Sequence, residues 1–368
     1  MKKLEIRPLT GLRAVAAIYV FLFHMQIRWP FVHTSFFAKL VGQGAVGMSV
    51  FFVLSGFVLT YQYAGQQVSY REYLVNRLAR VYPIYALAAL LSLPWIGINF
   101  ELPRSIGQLM ALVVANILVI QAWFPQFFGL WNDSASWSIS VEAFCYALLP
   151  ILLVRMQRAT DRQVLMIAFA AYAASVLPGL SYVLFDSAPT VFYSVPIYRL
   201  PEFVIGICTC VVFQRGRFRI PPAGIVALAV IAVAYLGTID DPRPIYVSHN
   251  WLIVPAVAAS LAALSSGRGA LNRIMGSAAV VWLGKISYCI YSLQVLIIFP
   301  LLHHHDKIVE VIPALRDNRI LMGGALLMLI VASAVAHHAI EEPTRRWIKQ
   351  RWSVNSKAKT SRVLSNSA

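Results

Sequence analysis

The stretch LTGLRAVAAIYVFLFHM, residues 9–25, decides the class of fold, because it is long and apolar and yet carries ionisable side chains. Twenty residues lie between Arg7 and Arg28. A helix of that length rises about 30 Å, the thickness of the hydrocarbon core of a bilayer. Only Arg13 and His24 within it can carry charge. The sequence therefore predicts a transmembrane helix that contains an arginine and a histidine.

The composition extends this prediction to the whole chain. Its 368 residues are 59% hydrophobic and 12% charged, with a mean hydropathy of +0.69. These values are typical of multi-pass helical membrane proteins. The formal net charge of +16 would suggest a nucleic-acid partner in a soluble protein. Here most lysines and arginines lie between apolar segments, where they orient a membrane protein, so no nucleic-acid partner is expected.

Eleven apolar segments are long enough to count as candidate spans. They cover residues 8–27, 41–63, 81–100, 105–124, 134–154, 163–185, 196–214, 220–239, 244–267, 281–302 and 320–340. If all cross except 105–124, and the N-terminus is cytoplasmic, 21 lysines and arginines lie inside and 7 outside. If 105–124 also crosses, the counts become 10 and 18. The positive-inside rule therefore predicts an all-α membrane protein of about ten transmembrane helices, with a re-entrant segment near residues 105–124.

The same topology predicts the domain organisation. Residues 1–352 form one multi-pass membrane domain, and residues 353–368 form a disordered basic tail in the cytoplasm. The first apolar stretch exceeds the core of a signal peptide and is expected to be retained. All cysteines fall inside apolar segments without zinc-like spacing, so neither a disulfide framework nor a metal site is expected; they are Cys145, Cys208, Cys210 and Cys289.

Helical geometry places Arg13 and His24 on one face of the first span. Eleven positions at about 100° each come within roughly 20° of three full turns, and they separate the two side chains by about 16 Å along the axis. Snorkelling of Arg13 and hydrogen bonding of His24 to a neighbouring helix are the structural alternatives. Ionisable groups inside a membrane are functional candidates by default, and the shared face favours function.

Further charged residues enter or border the predicted spans. Arg77 and Arg80 are three positions apart and therefore on one helical face, where their guanidinium groups suit either phosphate recognition or positive-inside anchoring. Glu142 lies about two turns into its span and must be paired, protonated or facing water. Arg199 and Glu202 are spaced to form an ion pair, for which a structural role is preferred over shaping an outer cavity.

Two polar features have plain explanations. The second span is rich in small residues, Ser55 and Gly56 among them, which permit close helix packing or access for a thin ligand. His303, His304 and His305 precede Asp306 in a predicted outer loop. That cluster could bind a metal, although a solvated run is the preferred interpretation.

Seven motifs occur in order over residues 5–352, and together they resemble those of the membrane-bound acyltransferase 3 family, which includes O-acetyltransferases of bacterial polysaccharides. The motifs are LTGLRAVAAIYVFLFH, FFVLSGFVLT, RLARVYP, WSISVEAFCY, YRLPEFVIG, LGKISYCIYSLQ and EEPTRRW. Many members end the sixth motif with histidine where this chain has Gln294, so no acid–base role is transferred to that position.

The resemblance implies an enzyme of the bacterial inner membrane that moves an acyl group, by family analogy acetyl, from cytoplasmic acyl-CoA to a hydroxyl at the outer face. The acceptor would be a polysaccharide or a lipid-linked sugar, and no tightly bound cofactor is implied. The family's first-helix pair corresponds to Arg13 and His24, and its paired arginines to Arg77 and Arg80. Its tryptophan, serine and glutamate motif corresponds to Trp137, Ser138 and Glu142; Trp137 also suits an interfacial belt.

The hypothesis that follows assigns Arg13, Arg77 and Arg80 to the CoA phosphates and His24 to the role of general base. Glu142 would orient or stabilise that histidine, as in a catalytic triad. Two alternatives stay open. In a proton-coupled transporter or flippase, Arg13, His24 and Glu142 would form a proton relay. A lipid or peptide acceptor would keep the mechanism and change the substrate.

Overall fold

The computed structural model describes residues 5–66, 69–95, 105–128, 130–131, 133–185, 189–218, 221–239, 246–267 and 269–351. Every regular element in these ranges is helical. The α-helices are α1 (Arg7–Gln26), α2 (Ser35–Gly42), α3 (Gly47–Tyr63), α4 (Tyr70–Leu91), α5 (Ile106–Ile117), α6 (Asp133–Arg158), α7 (Asp161–Phe185), α8 (Pro189–Ser194), α9 (Pro196–Gln214), α10 (Pro222–Thr238), α11 (Asn250–Ser265), α12 (Ala270–Met275), α13 (Ala278–Leu293), α14 (Val295–Val311) and α15 (Asn318–Ala336). The predicted tail, residues 353–368, lies outside the described residues.

The all-α membrane class is confirmed. Within the described ranges, eight helices are long and apolar enough to cross a membrane, and α13 with α14, bent by 44°, would make a ninth span. Helix α10 is apolar but shorter than these, and it covers the segment predicted at residues 220–239. The chain is thus a multi-pass membrane protein, while the total of ten spans stays a prediction.

The segment predicted to be re-entrant contains a short helix. Helix α5 has 12 residues, so it rises only about 18 Å, less than the hydrocarbon core requires. After α5 the chain turns through Val119, which has a positive φ of 58°. Tyr85 on α4 donates a 2.9 Å hydrogen bond to the carbonyl oxygen of Asn116, which ties the end of α5 to the bundle. This geometry fits a segment that enters the bundle without crossing it.

Helix α1 lies inside the bundle, and small residues set two of the closest helix contacts. A Cβ added to Gly284 on α13 would collide with the carbonyl oxygen of Thr10 on α1. On the other side of the bundle, α3 packs on α9, where a Cβ on Gly56 would collide with the carbonyl oxygen of Phe203. These positions need glycine because the neighbouring backbone occupies the space of a side chain.

Candidate functional site

Helices α1, α3, α4, α6 and α13 line a cavity that is open to its surroundings. Each helix contributes polar or ionisable side chains to its wall. Six residues singled out in the sequence line it, namely Arg13, Ser55, Arg77, Arg80, Ser138 and Glu142. The structure therefore brings together residues from four separate motifs of the sequence.

Three guanidinium groups face this cavity, and they have few protein partners. The Arg77 side chain is buried, with 7% of its surface exposed, and it donates a 3.1 Å hydrogen bond to the hydroxyl of Tyr63. Its Nε is buried and has no partner among the described residues. Arg13 and Arg80 are half-buried, and neither forms an ion pair with a described carboxylate. The cavity is therefore positively charged.

The parts of the wall formed by α6 and α13 carry hydroxyl groups and one carboxylate. Tyr146 donates a 2.6 Å hydrogen bond to Oε2 of Glu142, which lies one helical turn earlier on α6. Ser138 donates a 2.9 Å hydrogen bond to the hydroxyl of Tyr291 on α13. Neither Tyr146 nor Tyr291 is predicted as a site residue from the sequence, although both lie within predicted motifs. The spacing of Tyr146 four positions after Glu142 was a signal that could have found it.

His24 does not line this cavity. Its Nδ1 lies 3.2 Å from Nη1 of Arg28, and the same Nη1 donates to the His24 carbonyl oxygen at 3.1 Å. Because a guanidinium can only donate, Nδ1 of His24 must accept, and the neutral ring then carries its proton on Nε2. The described partner of His24 is therefore Arg28, and Glu142 does not orient the ring in this arrangement.

Packed apolar side chains separate His24 from the arginine cavity. Ala17 and Val20 lie between Arg13 and His24 on the same stripe of α1, since their positions differ from that of Arg13 by about 40° and 20°. Both are buried, and Val20 packs in one cluster with Met48, whose side chain also lines the cavity. His24 thus lies outside the arginine cavity, and α1 connects the two.

Residues 7–338 match the family described as "Acyltransferase domain". The chain belongs to this acyltransferase family. It is 28% identical to "Acyltransferase MdmB" of Streptomyces mycarofaciens over 94% of this chain and 93% of that protein. It is 23% identical to "Putative peptidoglycan O-acetyltransferase YrhL" of Bacillus subtilis over 92% of this chain and 55% of that protein. The chain thus spans nearly all of the first relative and about half of the second. No solved structure matches it.

In this acyltransferase, the predicted pair of Arg199 and Glu202 is a buried ion pair outside the cavity lining. The guanidinium and carboxylate are 3.0 Å apart, with 1% and 0% of the side chains exposed. Arg199 also donates to Ser49 on α3 at 3.2 Å, and Asn250 on α11 donates to Glu202 at 2.8 Å. The network fastens α9 to α3 and α11, which agrees with the structural role preferred for it.

Trp137 and Gln294 are also buried away from the cavity. Trp137 is 5% exposed, and its ring packs against Tyr193 with ring centroids 4.6 Å apart, so in this acyltransferase it does not face lipid. Gln294 is fully buried at the junction between α13 and α14.

The histidine run on α14 is made of separate contacts. Nδ1 of His303 lies 2.9 Å from the carbonyl oxygen of Phe299, and the His305 ring stacks on Trp29 with centroids 6.0 Å apart. Among the described residues, the groups whose donor atoms lie close enough together to hold a metal are elsewhere, around His337. The run at 303–305 is therefore a set of local contacts in this acyltransferase.

Proposed function

We propose that the chain is a membrane O-acyltransferase that takes an acyl group, acetyl by analogy with the names of its relatives, from cytoplasmic acyl-CoA. The acceptor is a hydroxyl of a cell-surface or exported polysaccharide, or of its lipid-linked precursor, at the outer face of the bacterial inner membrane. The observation that carries the proposal is the convergence of Arg13, Arg77 and Arg80 on one cavity without ion-pair partners among the described residues.

Electrostatics links this observation to an anionic ligand. A guanidinium withdrawn from water is costly unless it is paired. Glu142 is the carboxylate in the cavity wall and can compensate only part of the charge of three arginines. Phosphate groups match guanidinium donors in charge and in bidentate geometry. Coenzyme A offers three phosphates at one end and a long thioester-bearing arm at the other, so it can fill a cationic cavity and extend from it.

The proposed orientation of acyl-CoA relative to the two membrane faces follows from the distribution of basic residues. The positive-inside rule puts Arg77 and Arg80 near the cytoplasmic side, where acyl-CoA is made, and puts His24 in the outer half of α1. The helical offset of about 16 Å between Arg13 and His24 suits an extended arm. The packed layer at Ala17 and Val20 must open for the arm to pass.

The chemistry assigned to His24 is removal of the proton from the acceptor hydroxyl. The hydroxyl oxygen attacks the thioester carbonyl, the carbon–sulfur bond breaks, and the CoA thiolate leaves and takes up the proton. Because Nδ1 of His24 accepts from Arg28 in this structure, proton transfer through that nitrogen requires Arg28 to turn away. In the arginine cavity, the negative charge of Glu142 interacts with the positive charge of Arg13 and reduces the net charge of the cavity.

Label transfer in membrane vesicles tests the proposal. Wild type is compared with Arg80→Ala and with Arg71→Ala, an exposed arginine on the same helix that does not line the cavity. We expect wild type and Arg71→Ala to transfer radiolabel from acetyl-CoA to a glycan fraction, and Arg80→Ala to need an acetyl-CoA concentration roughly tenfold or more higher. Absence of transfer by wild type from several acyl-CoA donors, with pH-dependent movement of an unmodified substrate, would support a transporter instead.

A further inference from the structure

The motif EEPTRRW, residues 341–347, has no assigned role in this chain, yet it begins at an unusual piece of backbone. After α15 the chain forms one π-helical turn, His337–Glu341, before the helix continues. Such turns are rare, and they occur frequently at functional sites because they redirect side chains. Here the turn packs against α4, the helix that carries Arg77 and Arg80.

The π-helical turn holds one buried carboxylate with two donors. Nδ1 of His337 donates to Oε2 of Glu341 at 2.8 Å, and the Cys289 thiol on α13 donates to the same oxygen at 3.3 Å. Only 3% of Glu341 is exposed. The turn that carries it packs on α4, and its negative charge acts on Arg80 and on Arg13 as a counter-charge.

Arg345 follows Glu341 by one helical turn and therefore lies on the same face. It is half-buried in the helix that continues from the turn packed on α4, and it lies outside the lining of the arginine cavity, although its charge acts on those of Arg77 and Arg80. It makes no hydrogen bond or ion pair with any described residue. The next residue differs in each respect, since Arg346 is exposed and forms an ion pair with Glu342. The two adjacent arginines of this motif thus have different surroundings, and of the two only Arg345 interacts with Arg77 and Arg80.

We propose that Arg345 is a fourth guanidinium that binds the phosphates of the acyl-CoA, and that Glu341 is a positioning residue that holds Arg80 toward them. This inference rests on the proposed function and adds the C-terminal motif to its donor site. Four like charges placed close together repel one another unless an anion lies between them. A multiply charged phosphate ligand removes that repulsion, and the single charge of Glu341 removes part of it before the ligand binds.

Metal binding is the competing chemistry for the group formed by Cys289, His337 and Glu341. The donor atoms of Cys289, His337 and Glu341 lie within 4.8 Å of one another, which a metal ion would require. However, the carboxylate oxygen already accepts two hydrogen bonds, and the charges of Arg13 and Arg80 nearby disfavour another cation. The arrangement therefore suits a hydrogen-bonded carboxylate better than a metal centre.

Steady-state kinetics with two donors test the inference. The donors are acetyl-CoA and S-acetyl-pantetheine, which has the same thioester arm and no phosphate. We expect Arg345→Ala to raise KM for acetyl-CoA by about 10-fold to 100-fold, the range for a lost charge-assisted hydrogen bond, and to leave kcat within about twofold. KM for S-acetyl-pantetheine should not change. Arg345→Lys should recover part of the affinity, and Arg346→Ala is the matched control and should behave like wild type.

The positioning role of Glu341 has its own readout. Glu341→Gln keeps the volume and removes the charge, and it should raise KM for acetyl-CoA. When combined with Arg80→Ala, it should add little further loss, because two residues that act through one another are not additive. Thermal unfolding of each variant, compared with wild type, separates this effect from misfolding.

The outcomes distinguish a failure of the proposed function from a failure of the role assigned to Arg345. If wild type uses no acyl-CoA, the proposed function fails and the inference fails with it. If wild type uses acetyl-CoA but Arg345→Ala and Arg346→Ala have the same KM, the inference alone is overturned. The positioning role is overturned if the effects of Glu341→Gln and Arg80→Ala are additive, or if removal of divalent metals by a chelator reproduces the loss.

Discussion

Tyr146 donates a hydrogen bond of 2.6 Å to the carboxylate of Glu142, and this pair lines the same cavity as the three guanidinium groups. The hydrogen bond from Tyr146 holds the carboxylate of Glu142, and the negative charge of this carboxylate interacts with Arg13. A negative charge at this place both stabilises the free enzyme and limits how tightly an anionic ligand is held. The pair therefore offers a direct test of how the cavity is organised.

We expect Tyr146→Phe to lower kcat/KM for acetyl-CoA by roughly tenfold, because a hydrogen bond to a charged group contributes about 1.5–3 kcal/mol. The double variant with Glu142→Gln should be no worse than Glu142→Gln alone, since the hydroxyl acts through the carboxylate. Tyr172→Phe removes a tyrosine hydroxyl that bonds to Trp251 away from the cavity and should have no effect. Additive losses in the double variant would contradict the linkage.

The separation of His24 from the cavity predicts a split in kinetic constants. His24→Ala should lower kcat by about 10²-fold to 10⁴-fold, the usual contribution of a general base, with little change in KM for acetyl-CoA. His33→Ala changes an exposed histidine in the connection after α1 and serves as the control. The measurement is initial-rate kinetics at varied acetyl-CoA concentration. An unchanged kcat in His24→Ala would remove this residue from the mechanism.

The buried pair of Arg199 and Glu202 should matter for stability. Glu202→Gln leaves a buried guanidinium without its counter-charge and should cost about 3–5 kcal/mol of unfolding free energy. Asp161→Asn weakens the ion pairs with Arg215 and Arg217, in which the carboxylate is 47% exposed, and it should destabilise the protein much less because solvent screens these charges. Denaturant unfolding in detergent micelles measures both. Equal effects would mean that the pair does not hold α9 in place.

The contact between α3 and α9 gives a prediction about packing. Gly56→Ala should destabilise the protein by about 1–3 kcal/mol, because the added methyl group overlaps the backbone of Phe203. Gly323→Ala adds a methyl group on α15 where no atom lies within 4 Å, and it should be neutral or slightly stabilising. The thermal midpoints of the two variants should move apart. A similar shift in both would show that close approach does not limit this contact.

Much of this arrangement is predictable from local sequence. Hydropathy and charge predict the helical membrane class, and helical spacing places Arg13 with His24 and Arg77 with Arg80. The resemblance to a family adds that Arg13, the arginine pair and Glu142 serve one reaction, and the structure places them around one cavity. Each of these inferences uses only the periodicity of residues within one helix, or the order of the family motifs along the chain.

The remaining features depend on contacts between distant parts of the chain. Periodicity shows that Arg13 and His24 share a face, but it does not show that Ala17 and Val20 are covered by other helices. Likewise, 52 positions separate Cys289 from Glu341, and no local pattern predicts their hydrogen bond or the interaction of Arg345 with the arginine pair. Helix packing decides these features, and a single sequence carries little information about it.

The packed layer between Arg13 and His24 has a consequence for the cell. If the chain handles one substrate at each membrane face, as proposed above, an open path between the faces would conduct ions and dissipate the proton-motive force. Because Ala17 and Val20 are buried and apolar, they would oppose the passage of ions at that point. An extended thioester arm that passes through the layer would act as its own plug while it is bound. Substitutions that open a gap between the buried side chains at Ala17 and Val20 would then be more toxic to the host cell than substitutions that remove a charge.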